Sequence, residues 1–460
     1  MSFKNELSGK KITIIGSGIS GRAAAKFASS AGAKVFVSEI KQNISEETSS
    51  ALKDMEIPFE FGGHSERTWK TDLIVLSSSV SPSSPAVKGA FERGIPVTSE
   101  LDFVYPFIKD RIIGVTGSNG KTTTTSLIGH FLEACGYKTA VAGNIGNPAS
   151  LYAGVNLDFL VLELSSFQLY WIKSLKVDLG IITNLAPDHI DWHGSFENYV
   201  KSKSKLIKSR KPGAPAIIQL REMKTLDAES CHDIVPLSWS GLGKDSQGIL
   251  IKGEKIFLNY DGSSECLAEF KDIPLLGKHN VENVAMALAA IRLLKIPPLG
   301  PSELFKGYIA PKHRCQFVAK INGITFIDDS KGTNVAATST ALGSIKGEKI
   351  IILGGKGKGE DYTPLVKSIK ENANKAIVLG EEKVKIIKAL LEGGFSNVYE
   401  VKTMEEAVLL AYKIASPGET VLLSPACTSW DMYESYVKRG EHFISLVNKL
   451  GKAGRNVGIS

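Results

Sequence analysis

The segment from Ile112 to Thr123 constrains the fold more than any other part of the chain. An apolar strand ends in a glycine loop, and a lysine and two threonines then open a helical stretch. In such a unit the loop amides and the helix N-terminus point at an anion, the lysine reaches outer phosphates, and a threonine hydroxyl can hold Mg²⁺. The alternative is a Gly/Asn turn beside a chance lysine. The predicted phosphate loop consists of Gly117, Ser118, Asn119, Gly120, Lys121, Thr122 and Thr123.

Bulk properties bound the class of protein. A length of 460 residues predicts about three domains, and 43% hydrophobic with 22% charged residues is an ordinary globular balance. No apolar run approaches a membrane span, and the first residues lack an apolar signal region. Five scattered cysteines fit reduced thiols in the cytoplasm better than a disulfide framework. The net charge of +7 suits an anionic substrate and does not by itself imply nucleic acid.

Strand-like runs alternate with helical patterns almost throughout, which predicts an α/β fold of largely parallel sheets with flanking helices. We expect a first domain over 1–107, a second over 108–310 and a third over 311–460. Within the second domain, residues from about 212 to 276 are less regular, and their turn signals and short alternating runs predict a small β insertion.

A second glycine-rich turn, 16–21, follows the first strand and opens a helix, and Glu39 stands at the end of the next strand. This is a dinucleotide-binding fingerprint. It fits NAD, and it fits equally any ligand with a pyrophosphate and a ribose, such as a UDP-sugar. A tight turn without a ligand is the alternative.

Two polar segments follow strands of the second domain. Glu163 ends an apolar strand, where α/β sheets place their ligands, and Mg²⁺ coordination is its natural role beside a phosphate loop. The segment Asn184–His193 contains Asp-His-x-Asp-x-His, which could bind Zn²⁺, supply ligands to a magnesium shared with ATP, or be loop polarity alone. The phosphate loop favours magnesium.

Three further segments have mixed interpretations. The basic run 201–211 is by default a solvated helix face, and without interleaved aromatics it does not predict nucleic-acid binding. In 328–334, Asp329 and Lys331 could orient a ribose or phosphate, or the segment could merely cap a helix. In 423–431, Thr428 and Ser429 could meet a carboxylate, whereas Cys427 reads as a small buried residue.

Together these segments resemble the Mur ligases over nearly the whole chain. The similarity rests on 117–123, Glu-Leu-Ser-Ser-Phe-Gln-Leu at 163–169, Asn-x-x-x-Asp-His-x-Asp at 184–191, the 329–334 segment after His313-Arg314, and 423–431 followed by Arg439-Gly440. The resemblance implies a Rossmann-like N-terminal domain, a P-loop ATPase-like central domain and a Rossmann-like C-terminal domain. Within the family, the segments are most similar to ligases that add D-glutamate to UDP-N-acetylmuramoyl-L-alanine through an acyl phosphate.

The resemblance also implies roles for individual residues. Lys121 would stabilise the transferred γ-phosphate of ATP, and Lys203 would be carried as a carbamate. Catalysis would depend on Lys121, Lys203 and His189. Two Mg²⁺ ions would be held by Thr122, Glu163, His189 and the carbamate of Lys203. Beyond the phosphate loop, ATP would be framed by Asn280, Asn283, Arg314, Asp329 and Lys331. The UDP-substrate would contact Gly18, Ile19, Ser20, Gly21, Glu39 and Asn144. D-glutamate would contact Thr333, Lys358, Ser429 and Tyr436.

Some positions depart from the family pattern. Lys356 stands where an acidic residue is common, Ser77–Val80 replaces Ser-Pro-Gly-Val, and Tyr436 stands where phenylalanine is also found. The expectation is a cytoplasmic monomer whose partners are three small molecules, with no nucleic acid and no membrane span. The alternatives are another Mur or folylpolyglutamate-type ligase, an NAD-dependent oxidoreductase, a metallohydrolase or a nucleotide switch.

Overall fold

The structure is a computed structural model that describes residues 6–243, 246–275 and 277–456. Within these ranges the strands form three sheets, which follow one another along the chain. Most neighbouring strands are parallel and are joined by helices. This confirms the predicted α/β class.

The first sheet is parallel, with the strand order β3-β2-β1-β4-β5. Its strands are β1 Lys11–Ile15, β2 Lys34–Glu39, β3 Phe59–Phe61, β4 Leu73–Leu76 and β5 Val97–Ser99. Its helices are α1 Ile19–Ser30, α2 Glu46–Asp54, α3 Pro85–Glu92 and α4 Glu100–Val104. The order reverses between β1 and β4, and such a switch point opens a crevice at the carboxyl ends of the strands. The 16–21 turn follows β1 and therefore lies at this crevice.

The central sheet has the order β14-β13-β12-β11-β10-β9-β6-β8-β7. Its strands are β6 Arg111–Thr116, β7 Thr139–Gly143, β8 Phe159–Glu163, β9 Leu179–Ile182, β10 Ala216–Gln219, β11 Ile234–Ser238, β12 Gly248–Lys252, β13 Lys255–Tyr260 and β14 Ser263–Glu269. The accompanying helices are α5 Lys121–Ala134, α6 Ser166–Trp171, α7 Ile190–His193, α8 Phe196–Lys208, α9 Lys278–Leu293 and α10 Pro301–Leu304.

The irregular segment 212–276 is not a separate insertion, as far as its described residues show. Its strands β10 and β11 continue the central sheet in parallel, and β12, β13 and β14 extend it, the last two pairings being antiparallel. The turn signal at 261–262 lies in the hairpin between β13 and β14, whereas the one at 241–243 lies between the parallel strands β11 and β12. The position of the hairpins at a sheet edge depends on the strand order, which the local sequence pattern does not predict.

The third sheet has the order β15-β16-β20-β17-β18-β19, antiparallel only between its first two strands. Its strands are β15 Gln316–Ile321, β16 Ile324–Asp328, β17 Lys349–Gly354, β18 Lys375–Leu379, β19 Val398–Glu400 and β20 Thr420–Leu423. Its helices are α11 Val335–Ser344, α12 Thr363–Asn372, α13 Lys383–Glu392, α14 Met404–Ile414 and α15 Tyr436–Asn456. Apolar clusters pack on the sheet, around Leu365 and Ile369 in one case and around Phe326 and Phe443 in the other.

The described residues divide into two compact units. The first comprises residues 6–185, 197–272 and 283–308 and contains the first two sheets. The second comprises residues 186–196, 273–282 and 309–456 and contains the third sheet. The predicted boundaries after 107 and 310 lie between sheets and stay predictions. No helix in the described ranges is both long and apolar enough to cross a membrane.

Within the first unit, two buried carboxylates fix α4 against segments of the central sheet. Asp102 accepts the backbone N–H groups of Lys173, Ser174 and Leu175 at 2.5, 3.1 and 2.9 Å. Glu100 accepts from the amide and hydroxyl of Ser150 at 2.8 and 2.5 Å. Because buried polar groups are costly unless they are hydrogen-bonded, these contacts hold the first two sheets in one arrangement.

Candidate active site

The loop 117–120 joins β6 to α5 in a conformation that requires glycine at both ends. Gly117 has φ +144°, and a Cβ there would lie 1.9 Å from the Thr183 hydroxyl oxygen. Gly120 has φ +83°, and a Cβ there would lie 2.4 Å from Oδ1 of Asn283. The loop is thus packed closely enough on its supports that side chains at these positions are excluded.

The lysine and asparagine side chains organise this loop. The Lys121 ammonium donates to the carbonyl oxygens of Gly117 and Ser118, both at 2.8 Å. Asn184 makes a reciprocal pair with Asn119: it accepts the Asn119 N–H at 2.9 Å and donates to its carbonyl at 3.0 Å. Asn184 begins the 184–191 motif in the sequence, but the motif does not predict this support. Asn184 stands one residue after Thr183, just past β9, which pairs with β6.

Lys203 lies on α8, and its side chain is directed into the protein. The residue is 1% exposed, and its ammonium donates to the Gly117 carbonyl at 2.8 Å and to the Thr116 hydroxyl at 3.3 Å. The ring of Tyr199 lies 4.7 Å from the ammonium, and the Tyr199 hydroxyl is 2.8 Å from that of Ser118. Of the lysines in the basic run, this one therefore meets the phosphate loop, which a periodic surface pattern could not reveal.

Glu163 ends β8 in register with Val115 of β6, so its carboxylate lies beside the phosphate loop. It is 2% exposed and accepts a hydrogen bond from Asn144 at 2.9 Å. Thr122, the second residue of α5, is also buried. Carboxylate and hydroxyl oxygens at a phosphate loop suit Mg²⁺, which prefers few, hard oxygen ligands. This donor set therefore fits the predicted metal.

The predicted metal residue His189 belongs to the second unit, where it precedes α7 with φ +53°. Its neighbour Asp188 accepts from the Lys358 ammonium at 2.9 Å and from the Asn334 amide at 3.4 Å. In the described ranges no three His, Cys, Asp or Glu side chains are grouped closely enough to hold a metal ion. Asp188 thus pairs with a lysine and an asparagine, a role that the Asp-His-x-Asp-x-His pattern did not indicate.

A cavity of about 490 Å³ lies at the switch point of the first sheet. It brings together most of the residues predicted for the UDP-substrate: Gly18, Ile19, Ser20, Glu39 and Asn144. Gly21 is not among its lining residues. A Cβ on Gly21 would lie 1.9 Å from the Gly16 carbonyl oxygen, so this glycine allows α1 to approach the turn. Asn144 lines the cavity and also contacts Glu163, which connects the two predicted substrate regions.

Glu39 is held as an anion in this cavity. It accepts from the Ser17 amide at 2.9 Å, the Ser17 hydroxyl at 3.0 Å and the Lys41 amide at 3.1 Å. Burial alone would raise its pKa, but these bonds outweigh burial and hold the pKa below its ordinary value. Its carboxylate is therefore available as an acceptor for ribose hydroxyls.

His64 also lines the cavity, and no sequence motif predicts it there. Its Nδ1 lies 2.7 Å from the Ser38 hydroxyl. Burial lowers its pKa, so the ring is neutral at neutral pH. His64 lies between strands, in a segment without a recognised motif, and only the tertiary structure brings it to the turn at 16–21.

In the second unit, Asp329 follows β16 and is buried. It accepts from the Ser424 hydroxyl at 2.6 Å and from the Cys315 amide at 3.2 Å. Burial raises its pKa to about 7, even though these bonds and the Arg314 guanidinium act in the opposite direction. Ordinary helix capping does not account for this environment, because the cap of α11 is Asn334.

Other residues predicted to receive substrates lie on the loops at this edge of the third sheet. The Lys331 ammonium is 3.8 Å from the ring centre of Tyr436, which begins α15. Ser429 is buried just beyond β20, and the Thr333 amide donates to the Lys331 carbonyl at 2.8 Å. The roles predicted for these residues stay predictions.

Three family models match the chain: the MurD N-terminal domain over 11–86, the Mur ligase middle domain over 115–291 and the Mur ligase glutamate ligase domain over 313–427. The UDP-N-acetylmuramoylalanine-D-glutamate ligase of Pelotomaculum thermopropionicum is 35% identical over 449 residues, 96% of this chain and 98% of that protein. The chain belongs to the Mur ligase family. A ligase of the same name from Natranaerobius thermophilus is 37% identical over 88% of this chain and 90% of its own length.

Solved Mur ligases share the fold at lower identity. The UDP-N-acetylmuramate-alanine ligase of Thermotoga maritima has a TM-score of 0.59 at 21% identity and covers 96% of this chain and 99% of its own. The MurF ligase of the same organism, solved with ADP, has a TM-score of 0.59 at 16% identity, covering 91% and 95%. These similarities confirm the three-domain fold. Family membership also decides against the oxidoreductase, metallohydrolase and nucleotide-switch alternatives.

Arg439 of this Mur ligase ties two loops of the third sheet together from α15. It is 2% exposed and donates to the carbonyl oxygens of Ser330, Thr428 and Cys427 at 2.8, 3.1 and 3.0 Å. Burial lowers its pKa to about 10, so it remains a cation at neutral pH. The positions of Thr428 and Ser429 therefore depend on this side chain.

Replacing Arg439 with methionine should destabilise the second unit by about 3 kcal/mol, because several buried carbonyl acceptors lose their donor. The loss of stability is measured by denaturant unfolding, which is monitored with a probe confined to the second unit. Lys438→Met, at the exposed neighbouring position, is the matched control and should change stability by less than about 0.5 kcal/mol. Equal stability of the two variants would contradict the anchoring role.

Proposed function

We propose that this Mur ligase joins D-glutamate to UDP-N-acetylmuramoyl-L-alanine at the expense of ATP, in peptidoglycan precursor synthesis. The observation that carries the proposal is whole-length similarity to ligases of that name, at 35% identity over 96% of the chain. A glycine loop at 117–120 that leads into α5 and a separate cavity at the glycine turn 16–21 support the proposal. We propose that this occurs in the cytoplasm and that the enzyme acts as a monomer.

Joining a carboxylate to an amine is uphill in water, so the carboxylate must first be activated. One oxygen of the alanyl carboxylate attacks the γ-phosphorus of ATP, and ADP leaves. Two anions must approach each other in this step, which requires fixed positive charge. Lys121, already directed at the loop carbonyls, is the cation that would follow the transferred phosphoryl group.

Two Mg²⁺ ions would offset the remaining phosphate charge and align the reacting oxygens. In the first unit they would be held by Thr122, Glu163 and a carbamate on Lys203, and in the second by His189. The carbamate forms when the nitrogen of a neutral lysine amine bonds to the carbon of carbon dioxide and releases one proton, and it replaces a cation with an oxygen ligand. The burial of Lys203 supports this proposal, because a buried ammonium is costly and a metal-bound anion is compensated.

In the second step the neutral amine of D-glutamate attacks the acyl carbon, the bond from that carbon to the phosphate oxygen breaks, and the amide forms as one N–H proton leaves with the released phosphate. Lys358, Thr333, Ser429 and Tyr436 would receive the amino acid, with the Lys358 ammonium facing a substrate carboxylate. Beyond the loop, Asn280, Asn283, Arg314, Asp329 and Lys331 would contribute to ATP binding.

The test is phosphate release from ATP with UDP-N-acetylmuramoyl-L-alanine and one amino acid at a time. We expect D-glutamate to exceed L-glutamate, D-aspartate and diaminopimelate by roughly a hundredfold or more in kcat/KM, because a charged pocket rejects ligands that leave its groups unpaired. Equal or faster release with another amino acid would assign a different Mur reaction to the chain.

A further inference from the structure

Three segments of the second unit meet around the Asp188–Lys358 ion pair. The side chains of Asp188 and Lys358 are only 9% and 10% exposed, and their charged atoms are 2.9 Å apart. The Asn334 amide reaches the other oxygen of Asp188 at 3.4 Å. The next residue, Val335, begins α11, and its N–H donates to Glu360 at 2.8 Å. Glu360 thus lies beside the pair, two residues from Lys358 on the same loop.

Glu360 is an unusual carboxyl group for a loop. Its Oε2 accepts the Val335 amide, whereas its Oε1 is buried and accepts no hydrogen bond within 6–243, 246–275 and 277–456. Burial raises its pKa to about 7; the Val335 bond and the Lys358 charge lower it, and the Asp188 charge raises it. The oxygen that accepts no hydrogen bond can carry the proton of the neutral carboxyl group. Glu360 therefore changes charge in the neutral range.

We propose that Glu360 is a positioning residue. Through Lys358, it sets how tightly the enzyme binds its amino-acid substrate. The proposal rests on the proposed function, in which Lys358 receives D-glutamate. When Glu360 is protonated, only the Asp188 carboxylate competes with the substrate carboxylate for the Lys358 ammonium. When Glu360 is ionised, a second carboxylate competes, and a dicarboxylate substrate meets added negative charge. Affinity for D-glutamate should therefore fall as pH rises through neutrality.

The other groups that face Glu360 either belong to the Asp188–Lys358 ion pair or keep their charge state at neutral pH. Lys358 faces it from the same loop and Asp188 from the segment before α7. Cys427, beyond β20, also interacts electrostatically with Glu360, and burial raises the pKa of its thiol to about 12. The thiol stays neutral throughout, so it does not contribute a second titration.

The experiment compares KM and kcat for D-glutamate in wild type and Glu360→Gln, with the other substrates saturating, between about pH 6 and about pH 8. Glutamine keeps the acceptor for Val335 and cannot ionise. We expect the wild-type KM to rise roughly tenfold over this range, as for one added charge near a binding site. In Glu360→Gln the KM should stay at its low-pH value, with kcat unchanged. The ratio of the two KM values cancels titration of the substrates themselves.

Glu419→Gln is the matched control. Glu419 is buried at the opposite end of β20, and its pKa is held below its ordinary value because bonds from Ser416, Asn374 and Lys375 outweigh burial. It stays ionised throughout, so its variant should retain the wild-type rise in KM. A rise that persists in Glu360→Gln, or one lost equally in Glu419→Gln, would overturn the role of Glu360.

A second measurement does not depend on any variant folding. Calorimetric titration of wild type with D-glutamate near pH 7, with the nucleotide substrate and a non-hydrolysable ATP analogue present, is repeated in two buffers of different ionisation enthalpy. We expect uptake of a fraction of a proton on binding, and binding without uptake would reject the proposal. Absence of D-glutamate turnover at every pH would instead reject the proposed function, whereas turnover with a pH-independent KM rejects only Glu360.

Discussion

Replacing Lys121 with alanine should lower kcat by at least about three orders of magnitude. The ammonium is held by two loop carbonyls, of Gly117 and Ser118, at the N-terminus of α5, from where it would follow the phosphoryl group. The loss should fall on kcat rather than on KM for D-glutamate, because the cation is needed where negative charge develops in transfer. Phosphate release with the full substrate set measures it.

Two controls separate chemistry from folding in this experiment. Lys138→Ala removes an exposed lysine just beyond the other end of α5 and should leave kcat within about twofold. Lys121→Arg retains the charge without fitting the same loop carbonyls and should recover little activity. Substantial phosphate release by Lys121→Ala would contradict the assignment of the loop to ATP.

The glycine loops were predictable because their chemistry is local. A positive φ at Gly117 and Gly120 follows from a strand that must turn sharply into a helix, and the lysine and threonine that follow predict a phosphate ligand. The same holds for Glu39 and Glu163, each at the end of a parallel strand. In these cases the sequence spacing itself determines which end of the sheet the residue occupies.

The supports of the site were not predictable, because they depend on which strands become neighbours. Asn184 reaches Asn119 only because β9 pairs with β6, and Lys358 meets Asp188 across 170 residues of chain. Glu360 is less visible still, since a loop glutamate is normally solvated. Its carboxyl, with one buried oxygen and a single hydrogen bond, depends on α11 beginning at Val335 beside it.

Lys203 illustrates what resemblance and structure each contribute. Composition singles out none of the lysines in 201–211, and the family resemblance selects this one by alignment alone. The structure supplies an independent reason: α8 exposes Lys201 and Lys208 and directs Lys203 at the Gly117 carbonyl. A cationic Lys203 would brace the loop, whereas a carbamate on Lys203 would bind metal, and the two forms differ in which small molecules can replace them.

Replacing Lys203 with alanine should abolish most activity, by roughly a hundredfold or more in kcat, and short carboxylates such as formate, acetate or propionate should restore part of it. The carboxylate would occupy the space left by the side chain and supply the oxygen ligand that the carbamate provides. Lys201→Ala, on the exposed face of the same helix, is the matched control and should remain active. Phosphate release with increasing carboxylate concentration measures the rescue.

The cationic and carbamate forms of Lys203 lead to opposite expectations for which small molecules restore activity to Lys203→Ala. If Lys203 acts as a cation that donates to Gly117 and Thr116, methylamine or ethylamine should restore activity to Lys203→Ala and carboxylates should not. If it acts as a carbamate, carboxylates rescue, amines do not, and removing dissolved carbon dioxide should lower wild-type activity over time. A fully active Lys203→Ala would exclude both forms, because an alanine can neither brace the loop carbonyl nor offer an oxygen to Mg²⁺.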